Sequence, residues 1–311
     1  MYRNRSIGIA VPAYNESKLI EKTLSSIPLY VDKIYAIDDG SQDNTAEKIK
    51  NFADPRVVLI QQKNGGVGAA ITSGYKKALE DNIDIIAVMA GDNQMDPDYL
   101  SNLLDPIVDG KAGYTKGNRL WNSKLRKGMS AWRALGNYIL TFLNKVASGY
   151  WNLSDPQNGY TAISSLVLKK LDLDKTYRGY AFENDMLVKL NVHDISVKNV
   201  AIPARYADEK SKIRYPTFIA KTSLYLINAL LWRSWNKYVV KLNPIGIFYI
   251  LGILLMITGF FALLPLKPAY ILFGLFLFLV SSILEILRNK IADIKTKSSE
   301  KISYSELSMI K

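Results

Sequence analysis

Apolar and polar positions alternate in blocks along the first 200 residues, and the period changes from block to block. Residues 6–12, 33–37, 57–61 and 83–89 are short apolar runs, each closed by polar or turn-forming residues. Residues 44–52 and 66–79 instead carry apolar positions at the three- and four-residue spacing of a helix face, and Ser17 is placed to cap a helix running to Ile27. Short, nearly continuous apolar strands separated by amphipathic helices predict an α/β fold with a mostly parallel sheet. Ligands of such sheets lie beyond the carboxyl ends of the strands. Three polar motifs fall at those ends: Tyr14-Asn15-Glu16, Asp38-Asp39 and Asp92-Asn93-Gln94.

The pattern changes near residue 215. Residues 217–235 mix apolar and aromatic positions with Lys221 and Arg233, and predict an amphipathic helix at a membrane surface with Trp232 and Trp235 at headgroup level. Residues 244–264 and 268–284 are almost uncharged. Spanning a bilayer takes roughly 20 residues, about 17 at the least, so the two segments predict a transmembrane hairpin turning at Pro265-Leu266-Lys267-Pro268. Arg233, Lys237 and Lys241 precede the hairpin, and Arg288, Lys290, Lys295 and Lys297 follow it. The excess of cations on those flanks predicts both ends on the cytoplasmic side. Glu285 is expected to pair with Arg288, three residues on. The expected organisation is a cytoplasmic catalytic domain over 1–215, interfacial helices over 216–241, two membrane helices over 242–288, and a basic, weakly ordered or surface-bound tail over 289–311. The N-terminus runs directly into a strand pattern without the apolar core of a signal peptide, so the first domain is expected to stay in the cytoplasm.

Composition narrows the chemistry. The chain has no Cys and one His, His193. Thiolate nucleophiles and Cys-based metal sites are excluded, and a His-based zinc site or Ser-His-Asp triad is disfavoured. His193 is expected at the end of a helix, in a C-terminal role. The net charge of +12 suggests an anionic partner. Because the cations gather at the membrane flanks, phosphate ligands and acidic lipid are favoured over nucleic acid. Asp92 and Gln94 lie two apart, so an extended backbone would aim both side chains the same way. Two such oxygen donors suit Mg²⁺ or Mn²⁺, with substrate phosphates completing the shell. The same residues also read as a strand-to-helix turn.

The ordered motifs Val11-Pro12-Ala13-Tyr14-Asn15-Glu16, Asp38-Asp39-Gly40-Ser41, Asn64-Gly65-Gly66-Val67-Gly68-Ala69 and Gly91-Asp92-Asn93-Gln94 resemble those of family 2 glycosyltransferases. Followed by membrane spans, they are similar to polyprenyl-phosphate glycosyltransferases of the dolichol-phosphate mannose synthase type. The resemblance covers residues 5–215. It implies a GT-A fold, a nucleotide-diphosphate sugar (GDP- or UDP-), a divalent metal, and inversion at the anomeric carbon. Carried over, it puts Pro12, Tyr14, Glu16, Asp38, Asp39, Asn64 and Asp92 at the nucleotide sugar, and Asp92 and Gln94 at the metal. Arg119, Arg133, Asn137, Arg205 and Lys212 then face the acceptor phosphate, with Asn158, Glu183 and Asp185 on the sugar side. Asp92, Arg119 and Arg133 are the expected catalytic residues. One position departs: the family's metal motif is Asp-x-Asp-x-Gln, and Ala90 stands where its first Asp would be.

The expected function is transfer of one sugar, mannose or glucose first, from a nucleotide-diphosphate donor to dolichyl or another polyprenyl phosphate at the cytoplasmic membrane face. Membrane lipids are the expected surroundings, nucleic acid is not a partner, and an oligomer is compatible with the sequence. Ala90 keeps a second reading open, a silent nucleotide-sugar-binding membrane protein. A third is a transferase with another lipid or a polysaccharide acceptor. Against polysaccharide synthesis, Leu231-Trp232-Arg233-Ser234-Trp235 lacks the Gln of the Gln-x-x-Arg-Trp motif of processive synthases.

Overall fold

Seven strands form one sheet in the computed structural model, which describes residues 1–119, 131–203, 215–240, 243–262 and 265–308, with only the backbone of 131–135, 137, 215–218, 220 and 289–308. The strands are β1 (Ile7–Ala13), β2 (Lys33–Asp38), β3 (Val57–Gln61), β4 (Ile85–Val88), β5 (Tyr114–Asn118), β6 (Thr161–Ser164) and β7 (Val197–Ala201). Their order is β3-β2-β1-β4-β6-β5-β7. Only β6 runs against its neighbours, pairing antiparallel with β4 and β5. The expected mostly parallel α/β sheet is the one observed.

Strand alternation decides which helix covers which face. Ile7, Ile9, Val11 and Ala13 turn one way and enter a core with α1 (Ile20–Ser26) and α4 (Leu100–Val108), including Ile20, Leu24, Leu100 and Leu104. Ala10 turns the other way, against α3 (Val67–Glu80), where a Cβ on Gly74 would meet the Ala10 Cβ at 2.8 Å and Ile37 at 2.9 Å. Glycine at 74 therefore lets α3 lie directly on the sheet. Between β2 and β3 runs α2 (Thr45–Lys50). Ser17 does not cap α1. The helix starts at Ile20 without a side-chain cap, and the Ser17 N–H donates to Asp43 instead, at 3.2 Å.

The remaining helices are α5 (Ala131–Ser148), α6 (Ser165–Leu168), α7 (Phe182–Val192), α8 (Tyr215–Ser234), α9 (Pro244–Phe261) and α10 (Lys267–Ser308). A π-helical turn, Trp235–Val239, follows α8. The chain packs as two units. One comprises Met1–Thr141, Leu153–Met186 and Ile195–Ile219 and holds the sheet; the other comprises Phe142–Asn152, Leu187–Asp194 and Ala220–Lys311.

In the second unit α9 and α10 lie against each other, Gly252 on Gly274, each too close to the other's carbonyl oxygen to carry a Cβ. Pro244–Phe261 and Lys267–Arg288 are long and apolar enough to cross a membrane. One expectation is corrected here. Glu285 pairs with Arg233 rather than Arg288, whose guanidinium lies 3.7 Å from Asp194. Within α8 Arg233 is fully buried, while Leu224, Ile227, Leu231 and Trp232, and Trp235 just after the helix, are exposed. The tail beyond 289 continues α10 through Ser308, since no Gly or Pro after Gly274 interrupts it.

Candidate active site

The loops after β1, β2, β3 and β4 leave the same edge of the sheet. Ala13 of β1 pairs with Asp38 of β2, which pairs with Gln61 of β3. The Gly91 N–H donates to the Pro12 carbonyl at 3.1 Å, and the Thr23 hydroxyl donates to the Gly91 carbonyl at 3.0 Å, seating the Asp92 turn on β1 and α1. Three of the expected motifs are thus brought together, two by strand register and the third by the bonds that seat the Asp92 turn.

Asp39 ties two of those loops together. One carboxylate oxygen accepts from the Gln62 amide at 2.7 Å and the Gly65 N–H at 2.9 Å, and the other from the Gly66 N–H at 2.9 Å. Only 3% of Asp39 is exposed. Gly66 needs its φ of +91°, and a Cβ there would meet the Arg178 carbonyl oxygen at 2.6 Å. Asp38 accepts from the Ser41 N–H at 3.1 Å and closes its own turn. Asn15, at φ +55°, accepts from the Gln42 N–H at 2.8 Å, and the Glu16 N–H donates to the Thr45 hydroxyl at 2.9 Å. The Tyr14 and Asn64 side chains are exposed beside this frame, and Pro12 is buried in β1.

The Asp92 segment is not extended. β4 ends at Val88, and Asn93 takes a φ of +56°. The Asp92 carboxylate accepts from the Gln94 N–H at 3.0 Å, closing an Asx turn. The expected same-side aim of Asp92 and Gln94 across a strand is therefore replaced by a turn, because a left-handed residue between them breaks the two-residue period. The donor set stays hard and oxygen-based. Among the described residues no group of three or more His, Asp or Glu converges. Such a set fits a divalent cation that takes part of its shell from substrate phosphates.

A second cluster forms where β5, the turn after residue 154 and the start of α7 meet. Arg119 grips Asp155 with two nitrogens, at 2.8 and 3.1 Å, and its own N–H donates to the same carboxylate at 3.1 Å. The Asp155 side chain is buried and that of Arg119 is partly exposed. Asn158 is buried, its amide oxygen accepting from the Tyr160 N–H at 3.0 Å. Glu183 and Asp185 stand in the first turn of α7, where acidic groups suit the helix dipole. Asp185 accepts from the Tyr177 N–H at 2.7 Å. Gln157 donates to Asn184 at 3.1 Å, and the Tyr160 hydroxyl donates to the Asp96 carbonyl at 3.1 Å, joining this cluster to the Asp92 segment. Arg205 and Lys212 lie outside the described residues, as do the side chains of Arg133 and Asn137, which sit on α5. His193 follows the last residue of α7 and is exposed.

Sequence reasoning missed Lys116. It is fully buried in β5 and donates to the Asn158 carbonyl. Burial pushes its ammonium down to about 8, against the pull of Glu183 and Asp155. Burial raises the Glu183 carboxyl above its usual value, with Lys116 and Arg119 opposing. A lysine in a short strand reads as a solvent-facing position, so no pattern in the sequence marks it as buried. Its folded value lies below the solution value of 10.5. The unfolded chain therefore holds more protons between about pH 8 and 10.5, and stability should rise with pH across that interval. Lys237, also lowered to about 8 by burial, contributes to the same rise. Lys116→Met is expected to remove about half of the rise, up to about 3 kcal/mol; thermal unfolding in detergent from pH 7 to 10.5 checks it.

A mostly parallel sheet with acidic and glycine-rich loops at the carboxyl ends of β1 to β4 defines the class, an α/β domain whose polar loops gather at one edge of the sheet. Residues 8–172 match the model of Glycosyl transferase family 2, and the chain belongs to that family of glycosyltransferases. It is 30% identical over 218 residues to the UDP-N-acetylglucosamine–dolichyl-phosphate N-acetylglucosaminyltransferase of Methanococcus voltae, covering 63% of this chain and 86% of that protein. It is 28% identical over 186 residues to the undecaprenyl-phosphate mannosyltransferase of Micrococcus luteus, covering 57% of this chain and 74% of that protein. The fold is shared with glucosyl-3-phosphoglycerate synthase from Mycobacterium tuberculosis. Its complex with phosphoglyceric acid aligns at TM-score 0.54 and 21% identity over 74% of this chain and 80% of that one. Its complex with Mn²⁺, uridine diphosphate and glucosyl-3-phosphoglycerate aligns at TM-score 0.52 and 20% identity, again over 74% and 80%. The expected GT-A architecture is thereby the observed one.

Proposed function

We propose that this glycosyltransferase moves one sugar from a nucleotide-diphosphate donor to a polyprenyl phosphate at the cytoplasmic membrane face, inverting the anomeric centre. The observation that carries the reading is the pair of apolar helices, Pro244–Phe261 and Lys267–Arg288, on the same chain as a family 2 domain. A lipid-linked acceptor explains why such a domain is tethered to spans. The relatives named for dolichyl and undecaprenyl phosphate support the same acceptor chemistry. In this reading 1–215 is the catalytic domain, 216–241 lies at the interface, 242–288 spans the bilayer, and 289–311 returns to the cytoplasm.

The acceptor defines what the protein must do. A phosphate monoester has its second pKa near 6, so at pH 7 it is already mostly ionised and needs no general base. One of its oxygens attacks the anomeric carbon while the bond from that carbon to the nucleotide diphosphate breaks. The demand is to hold two anions in line. Arg119, aimed by Asp155, with Arg133, Asn137, Arg205 and Lys212, supplies the cationic side for the acceptor. Asp39 and the Gly65–Gly66 N–H groups shape the nucleotide side, and Asn158, Glu183 and Asp185 the sugar side. Asp92 and Gln94 would hold Mg²⁺ or Mn²⁺, which when bound neutralises the leaving diphosphate.

The test incubates the full-length protein in vesicles with polyprenyl phosphate, Mg²⁺ or Mn²⁺, and labelled UDP-N-acetylglucosamine, UDP-glucose or GDP-mannose. Label entering the lipid phase from one donor, and lost with EDTA, is expected. Binding of a donor without transfer would overturn the reading in favour of the silent binder that Ala90 allows.

A further inference from the structure

At the inner end of the α9–α10 hairpin, within the second unit, four charged groups are packed together. Arg233 and Glu285 are both fully buried and joined by two nitrogen–oxygen contacts, the longer 3.2 Å. Glu285 also accepts from the hydroxyls of Tyr238 and Tyr249, the latter at 3.2 Å. Arg233 donates to the Val146 carbonyl at 2.9 Å, in the last turn of α5. Lys237 donates to the carbonyl of Asn191 at 2.7 Å, in the last turn of α7, and pairs with Asp194 at 3.0 Å. Two helix carboxyl ends, where the dipole is negative and carbonyls lack partners, are thus each met by a cation, Arg233 gripping Glu285 and Lys237 pairing with Asp194.

The surroundings are built to this cluster. Gly149 ends α5 at φ +76°, and a Cβ there would fall 2.5 Å from Arg233 and 2.7 Å from Glu285. A Cβ on Gly246 of α9 would fall 2.1 Å from the Tyr238 Cβ. The π-helical turn lets Lys237 and Tyr238 both stay buried after Arg233. A buried ion pair adds little stability over an apolar pair of equal size, but it admits one register only. In a membrane segment an ionisable residue with a named partner marks function.

We propose that Glu285 is a positioning residue: through Arg233, which donates both to Val146 and to the Asn191 side chain, it pins the membrane hairpin to the carboxyl ends of α5 and α7. Those helices begin with the residues assigned above to acceptor and sugar, so this inference rests on the polyprenyl-phosphate reading. The pin sets where these helices stand relative to a lipid phosphate, and the chemistry itself does not require it.

The test compares two acceptors, polyprenyl phosphate in phospholipid vesicles and a water-soluble short-chain isoprenyl phosphate. For Glu285→Gln, kcat/KM for the vesicle acceptor is expected to fall about 10-fold. The KM for nucleotide sugar and the rate on the soluble acceptor should stay within about twofold. The double variant Arg233→Met with Glu285→Met, which keeps apolar packing, should unfold at the wild-type temperature yet show the same acceptor-selective loss. Equal loss on both acceptors, or wild-type transfer to vesicles by the double variant, overturns the proposal. Wild-type protein inactive on both acceptors overturns instead the reading beneath it.

Discussion

Asp92→Asn is expected to lower sugar transfer about 100- to 1000-fold at low millimolar Mg²⁺ or Mn²⁺. The change is chosen for what it keeps. Asn retains an oxygen that can accept from the Gln94 N–H, the bond that closes the turn at 3.0 Å, so the loop should hold its shape. What is lost is the negative charge that a hard cation requires. The fall should shrink as metal concentration is raised, because the donor diphosphate brings its own share of the coordination shell. Ala90→Asp works in the opposite direction. Ala90 precedes Asp92 by two positions where the family carries an acid, and restoring it should lower the metal concentration that gives half-maximal rate. Initial rates against metal concentration for the three proteins decide it. An Asp92→Asn enzyme with an unchanged metal profile would remove Asp92 from the metal site.

The second large effect is expected at Asp39. Asp39→Ala removes the acceptor for three donors, the Gln62 amide and the N–H groups of Gly65 and Gly66. At about 1 kcal/mol for each bond, and more for a charged acceptor, the loss is about 3 kcal/mol. Much of it falls on the loop, since two of the three donors are the N–H groups of Gly65 and Gly66. The KM for the nucleotide sugar is expected to rise about 100-fold, with kcat changing far less. Asp39→Asn should recover part of the affinity, since its amide oxygen can still accept from one side. Donor titrations of both variants, beside a thermal melt, separate a local loop defect from general unfolding. Equal KM in wild type and Asp39→Ala would show that the loop does not touch the donor.

The α/β class, the four leading strands and the two apolar C-terminal segments were legible without coordinates. Each rests on a local period: continuous apolar runs for strands buried on both faces, three- and four-residue spacing for α3, and uncharged length for α9 and α10. The order of motifs at the strand ends was legible for the same reason, since parallel strands carry their loops to one edge. Pairings between distant residues were not. Nothing local says that Arg119 will grip Asp155, 36 positions away, or that Lys116 will be buried in β5.

Local rules also misled where a longer contact was stronger. Glu285 and Arg288 have helical spacing for a pair, yet Glu285 turns to Arg233, 52 positions away, because a buried carboxylate needs a fully buried cation and two hydroxyls more than a half-buried neighbour. Ser17 has the chemistry of a cap, yet the helix starts at Ile20 and puts Leu19 in the cap position. Asp92 and Gln94 have strand spacing, yet Asn93 turns left-handed between them. By itself the sequence determined the elements and the family motifs, because burial periodicity and turn chemistry act over a few residues. Tertiary structure alone decided which charges meet, because desolvating a charge costs more than any local preference supplies.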